Sequence, residues 1–330
     1  MRILVTGATG FVGLNLVKML TRRDRHVVGL YRSPYDDFVP WFLGDAWGSD
    51  RIEWIEGDIT SPETIDRLSE MDLDGVIHSA VITPSPAMER DIPRRICDVN
   101  FTGTVELLEL ARQTGLQKFL YVSSSGVYGD TGDDTTPVPE TRGVDPKGLY
   151  GVTKKASEGV VERYAELFPL AAASARIGAP YGPGERPTGS RHIMSPILEM
   201  AAGAVDGKPV AIFNSHIARD WTHIEDTCGA LLALYDSLPL PHSIYNVSRG
   251  RSWNLDGVAE VLGKLVPGAS FTSVDRRVEA TTGMSESNRR GPLDIRRLIQ
   301  DTGFEPCIDL PEGLKDYTRW LTKYRQWRDS

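Results

Sequence analysis

The chain has 330 residues, enough for one large domain or two smaller ones, and its 25% charged and 40% apolar content is that of an ordinary globular protein. A formal charge of −8, a pI near 5.4 and the lack of any Lys/Arg-dense stretch argue against nucleic-acid binding. No apolar run approaches a membrane span, and MRILVTGATG opens straight into fold sequence with no room for a signal peptide.

The first half alternates short apolar runs with helical patterns: RILVTG, HVVGLY, RIEWIEGD, GVIHSA and KFLYVSS read as strands, with GLNLVKMLTRR and TVELLELARQTG as crossover helices. Repeated β-α units of this kind predict a parallel sheet covered by helices on both faces. A Gly/Pro-rich loop from GDTGDDTTPVPE through DPKG leads to a helix from about Tyr150 to Phe168, with Val152, Ala156, Gly159 and Val160 on one small apolar stripe. After AAASARIGAPYGPGERPTG the rhythm weakens into a helix around MSPILEMAAGAV, a short run PVAIF, a helical CGALLALYDS after RDWTHIED, and a strand at YNVSRG. The expected division is a dinucleotide-binding domain over 1–175 and a smaller substrate lobe over 176–330, interleaved with late elements of the first. Cys97, Cys228 and Cys307 form neither a disulfide ladder nor a metal pattern, which fits a reducing cytoplasm, and no histidine has a metal-ligand partner at useful spacing.

The segment ILVTGATGFVG sets Gly7, Gly10 and Gly13 at three-residue intervals between a strand and a helix, with Thr9 and Phe11 in the same turn. Such glycines permit a tight turn, a close approach of backbone to phosphate and close helix packing, and the helix N-terminus favours the anion. A dinucleotide site is expected here. The second strand, which should end at the adenosine ribose, closes on Tyr31 and Arg32 without a carboxylate. The missing acid favours NADP(H), with Arg32 on a ribose phosphate or stacked on adenine, and NAD as the other option. At the end of the third strand Asp58 is a candidate acceptor for the adenine amino group, or simply a capping residue, and Ile59 a cover for the ring.

Tyr150 and Lys154 stand four apart on the predicted helix and so face the same way. An ammonium beside a phenol favours the phenolate, which can exchange a proton with a substrate hydroxyl while hydride moves to or from its carbon. A hydroxyl at the end of VSSSG can hold the same oxygen. Arg186, Arg191 and His192 add cationic or hydrogen-bonding groups in a loop expected over the substrate, where each is otherwise a surface residue.

With TGATGFVG, GDI, IHSA, DVNFTGT, VSSSGVYG, YGVTK, ARIGAPYGPG, RDWTHIED and GPLDIRRLIQDTGFEP, the chain resembles the extended short-chain dehydrogenase/reductase family, in its branch of sugar epimerases and dehydratases. The resemblance implies a Rossmann-type doubly wound α/β domain, a C-terminal lobe over the substrate, and a homodimer joined through the helix after Tyr150 and the one near TVELLELARQ. It puts the catalytic hydroxyl at Ser124, with Ser125 as the nearby alternate, beside Tyr150 and Lys154. It lines the cofactor and substrate cleft with Ala80, Thr83, Pro180 and Tyr181, gives Asn100 a structural role, and sends Arg219 to a substrate diphosphate. Arg289 or Arg290 is a second candidate anion contact.

Two departures narrow the reaction. Dehydratases of the family carry Asp-Glu after the catalytic hydroxyl, where this chain has Ser125 and Gly126, and many nucleotide-sugar enzymes carry Asn where it has Ala179. The expectation is therefore an NADP-preferring dehydrogenase or reductase acting on a sugar, sugar acid or related polyol. The alternative is a nucleotide-sugar epimerase that works through a transient keto intermediate with tightly bound NAD. A noncatalytic dinucleotide sensor or scaffold would not need the Ser124, Tyr150 and Lys154 trio.

Overall fold

The computed structural model describes residues 1–191, 194–286 and 289–330. Its centre is a seven-stranded, all-parallel sheet built from β1 (Arg2–Thr6), β2 (His26–Tyr31), β3 (Ile52–Glu56), β4 (Gly75–His78), β5 (Lys118–Ser124), β6 (Ala171–Ile177) and β7 (Ile244–Val247). The spatial order is 3-2-1-4-5-6-7. The central strands β1, β2 and β4 are buried on both faces because helices cover both, whereas the edge strand β3 carries the exposed Glu53 and Glu56. Ile3 and Val5 of β1 enter one core, with Leu231 and Tyr245, while Leu4 enters the other, with Leu107 and Phe119. This is the doubly wound α/β fold expected from the sequence.

The helices that position the site are α1 (Phe11–Arg22), α2 (Gly103–Thr114), α3 (Gly148–Leu167), α4 (Ile224–Ser237) and α5 (Leu310–Asp329). The smaller lobe has a three-stranded sheet of Val210–Phe213, Phe271–Val274 and Thr282–Gly283, packed with the helices Pro196–Asp206 and Leu255–Leu265 and with α5. Two features lie outside the expected pattern. The link between β2 and β3 carries its own short helix, Phe38–Leu43, and that helix stacks on α5 through Trp41–Trp327, with ring centroids 5.0 Å apart. The strand β7 comes from far along the chain to complete the first sheet beside β6.

In a parallel sheet a crevice opens where neighbouring strands send their crossovers to opposite faces. Here that point lies between β1 and β4, and the segments after them, Gly7 and Ser79–Ala80, form its floor.

Candidate active site

The crevice widens into a cleft of about 840 Å³ that runs from the end of β2, past the glycine turn, to the end of β5. Gly7 has φ of +66°, and a methyl group there would sit 2.8 Å from the Ala80 Cα. Conformation and space both demand glycine. At Gly13 a methyl would come within 2.1 Å of the Gly7 carbonyl oxygen, so α1 can start this close to β1 only without a side chain. Gly10 caps α1 with no side-chain hydrogen bond, leaving the first N–H groups to face the cleft that Gly10, Thr9 and Phe11 line. A bare glycine cradle at a helix N-terminus fits the pyrophosphate of a dinucleotide.

At the β2 end the wall is made by Tyr31, Arg32, Asp36, Asp58 and Ile59. Arg32 is exposed. The Asp58 carboxylate accepts from the Thr60 backbone N–H at 3.0 Å and hydroxyl at 2.7 Å and pairs with Arg95. Burial acts to raise its pKa, but these hydrogen bonds outweigh burial and hold it below the usual carboxylate value. The carboxylate thus holds the Thr60 turn and Arg95 while still lining the cleft, and it is Ser61 that caps the next helix. Arg186, expected over the substrate, lies instead at this end: its guanidinium pairs with Asp36 at 3.3 Å and sits 4.3 Å from the centre of the Phe38 ring. The inserted helix supplies the aromatic ring that draws it there.

At the other end, β5 delivers Ser124, whose hydroxyl accepts from the Gly126 N–H at 3.0 Å. On α3, Tyr150 and Lys154 face the same cleft. Lys154 is almost fully buried, donates to the Val122 carbonyl at 2.6 Å, and lies 4.6 Å from the Tyr121 ring centre and 5.9 Å from that of Tyr150. Burial lowers its pKa to about 7, opposed by the charge of Glu158. The phenol differs from expectation. Burial raises the Tyr150 pKa, and the groups that pull it back are Ser124, Arg191 and Arg290 rather than Lys154, whose ammonium is spent on Val122.

Arg290 and Arg289, the two candidates for a second anion contact, are placed differently. The Arg290 side chain is buried and donates to the Ser125 hydroxyl at 2.8 Å and to the Gly129 carbonyl at 3.2 Å, whereas Arg289 contributes its carbonyl to the Thr131 N–H. Arg219 is close enough to depress the Arg290 pKa. Burial, then this like charge, lowers Arg290 to about 9, and burial lowers Arg219 to about 10 against the pull of Asp130 and Asp134. Ser125 therefore joins the hydroxyl strand to the buried Arg290, with the half-buried Arg219 close to it. Thr83 donates its N–H to the Ser190 carbonyl at 2.9 Å and bridges to Arg191, which pairs with buried Glu185 at 2.6 Å. That contact closes the 185–191 loop over the cleft. Ala80 and Pro180 line the cleft, but Tyr181 is buried in the core of the smaller lobe, and His192 lies outside the described residues. Asn100 ties its side chain to both backbone groups of Ile82, as its structural reading requires.

The sequence reading missed Glu158, Arg176 and Glu185, which are buried charges around this site. A signal existed for two of them: Glu158 is one helical turn beyond Lys154, and Arg176 interrupts the apolar strand AAASARI.

Comparison with known proteins agrees with this arrangement. The UDP-glucuronate 4-epimerase 1 of Arabidopsis thaliana is 28% identical over 98% of this chain and 77% of its own length. The UDP-glucuronate 4-epimerase of Thermodesulfobacterium geofontis is 28% identical, covering 96% of this chain and 95% of that protein. Among solved structures, MoeE5 in complex with UDP-glucuronic acid and NAD superposes with a TM-score of 0.80 at 27% identity, over 98% of this chain and 100% of its own. The expectation of NADP is overturned by these structures, since MoeE5 holds NAD here and again in its complex with UDP-glucose. Physically, Arg32 was given too much weight: it is exposed, and Asp36 brings a carboxylate to the same wall. The model of the family described as NAD dependent epimerase/dehydratase matches residues 3–248. Because that match takes in the glycine turn, the hydroxyl strand and the helix bearing Tyr150 and Lys154, the chain is an enzyme of the NAD-dependent epimerase/dehydratase family.

Proposed function

We propose that this protein is an NAD-dependent epimerase of UDP-sugars, with UDP-hexuronates and UDP-hexoses as the substrate class. The observation that carries the reading is the bond from Arg290 to Ser125, with Arg219 beside it, because it places a double positive charge next to the reacting hydroxyls. A diphosphate fits two neighbouring arginines, one buried and one half-buried, and the sugar attached to it then extends toward Ser124 and Tyr150. The names of the relatives support the same substrate class, and the absence of an Asp-Glu pair after Ser124 removes the groups that water loss would need.

Tyr150 accepts the proton of the sugar hydroxyl and later returns one. Ser124 holds the same oxygen and, with Arg191 and Arg290, favours the phenolate as the proton moves, while Lys154 stands behind the ring on the Val122 carbonyl. Bound NAD supplies the reversible hydride acceptor. Gly7, Gly10 and Gly13 would cradle its pyrophosphate, while Tyr31, Asp36 and Ile59 would surround its adenosine. The epimerase must keep the keto intermediate in place while its ring turns, and the loop closed by the Thr83–Ser190 bond shields that step from water.

The test is the cofactor released on denaturing purified protein, identified by mass spectrometry, together with incubation with UDP-glucuronate and UDP-glucose. The expected result is co-purifying NAD and formation of the C4 epimer with no net absorbance gain at 340 nm. Stoichiometric NADH formation would instead establish net oxidation.

A further inference from the structure

A carboxylate and a guanidinium taken out of water are costly unless each is fully hydrogen-bonded, so a buried pair marks a place where geometry is held at the expense of solvation. Glu158 and Arg176 form such a pair directly behind the reacting groups. Arg176 donates Nε and Nη2 to the two carboxylate oxygens of Glu158, each at 2.8 Å, and the two side chains are 2% and 0% exposed. Ser123, the neighbour of Ser124, donates its hydroxyl to the same carboxylate at 2.7 Å. Glu158 lies four residues after Lys154 on α3, so it faces the cleft side of the helix one turn further along.

Beyond the pair, the Arg176 guanidinium lies 4.7 Å from the Tyr128 ring centre, and the Tyr128 hydroxyl donates to Asn246 Oδ1 at 2.7 Å. Asn246 on β7 donates its side-chain amide to the carbonyls of Val138 and Asp294 at 2.9 and 3.0 Å. Asp294 closes the stretch that begins with Arg290. The polar chain therefore runs from the proton-transfer helix to the arginine that reaches Ser125.

We propose that Glu158 is a positioning residue for the reaction: one turn after Lys154 on α3 and bonded to Ser123, it keeps the lysine's helix and the Ser123–Ser125 strand end in one frame, which Arg176, Tyr128 and Asn246 extend toward the segment of Arg290, while the Lys154 ammonium rests on the Val122 carbonyl and Lys155 is the lysine 3.6 Å from the Glu158 carboxylate. The groups facing Lys154 are Tyr121 and the Val122 carbonyl from β5, His78 from β4, and Tyr150 and Glu158 from its own helix. Glu158 is the anion among them. Its charge supports the protonated lysine that burial opposes.

The experiment compares wild type with Glu158→Gln by NMR titration of the Lys154 Cε signal, assigned with Lys154→Arg, in the protein as purified. The expected result is a midpoint lowered by about one pH unit in the variant. The alkaline limb of kcat should move down by the same amount, with the KM for the UDP-sugar changed less than about threefold. Rescue by Glu158→Asp supports the charge rather than the shape. A double variant, Glu158→Gln with Arg176→Met, removes both members of the buried pair and so guards against misfolding caused by a lone Arg176, and it should show the same lowered midpoint. A wild-type midpoint and pH limb in these variants, with only the melting temperature reduced, would overturn the proposal. The kinetic arm rests on the UDP-sugar reading, but the titration needs no substrate, so absence of turnover in the wild type counts against that reading alone.

Discussion

Tyr150 sits where burial opposes the phenolate while Ser124, Arg191 and Arg290 favour it, and burial wins, raising its pKa above the usual phenol value. Tyr150→Phe removes the proton carrier and little packing. Turnover should fall at least a hundredfold while bound NAD remains at wild-type occupancy, as read by mass spectrometry of the denatured protein. Arg186 acts at the far end of the cleft. Because it ties the 185–191 loop to Asp36 and Phe38, Arg186→Met should speed NAD release by about three- to tenfold, measured by stopped-flow exchange, with kcat on the saturated enzyme little changed. Residue by residue, the sequence was legible where the chemistry is local. Glycine spacing and the Tyr–Lys register follow from one turn and one helix, so no distant information is needed. Arg32 and Arg186 misled because their roles depend on a helix inserted between β2 and β3, and on Asp36 within that insert. Arg290 could not be chosen over Arg289 from sequence for the same reason: its hydroxyl partner lies far away on the trailing end of β5.

The helix α3 shows how one element serves two surfaces. Its cleft face carries Tyr150, Lys154 and Glu158, and its outer face leaves Val152 at 47% and Leu167 at 54% exposure. The two helices α2 and α3 are already joined by the bond from Tyr164 to Glu109 at 2.6 Å, which makes a pair with an uncovered apolar edge. A homodimer through this edge is our expectation. Val152→Asp should shift the mass in light scattering from dimer to monomer, and a wild-type monomer would remove the idea. At this scale the strands of the sheet were readable because each is a short apolar run between turn signals. The helix Phe38–Leu43 was not, since FVPWFL is too short and too uniformly apolar to show helical periodicity. The two-residue strands of the smaller lobe, Ala218–Arg219 and Trp253–Asn254, are equally invisible, because pairing between remote segments creates them rather than their own composition.

Across the whole molecule, stability should depend on His78. It is fully buried between Thr6 at 2.7 Å and Thr104 at 3.1 Å, and burial, aided by the Lys154 charge, lowers its pKa from 6.5 to about 3. The unfolded chain binds this proton between those values and the folded chain does not, so stability present above pH 6.5 is lost as pH falls through the window. The full effect is several kcal/mol. Melting temperature should drop steeply from pH 6.5 to 4.5, and His78→Gln should flatten that slope; an equally steep slope in the variant would assign the loss to other groups. The late addition of β7 to the sheet has a consequence for biosynthesis. Until residues 244–247 emerge from the ribosome, β6, with Arg176 on it, is an open sheet edge and there is no Asn246 to engage Tyr128. The α5 aromatic rings that cover the Phe38–Leu43 helix appear later still. A nascent chain can thus form its glycine turn early but leaves the β6 edge unpaired until about three quarters of the chain has been made.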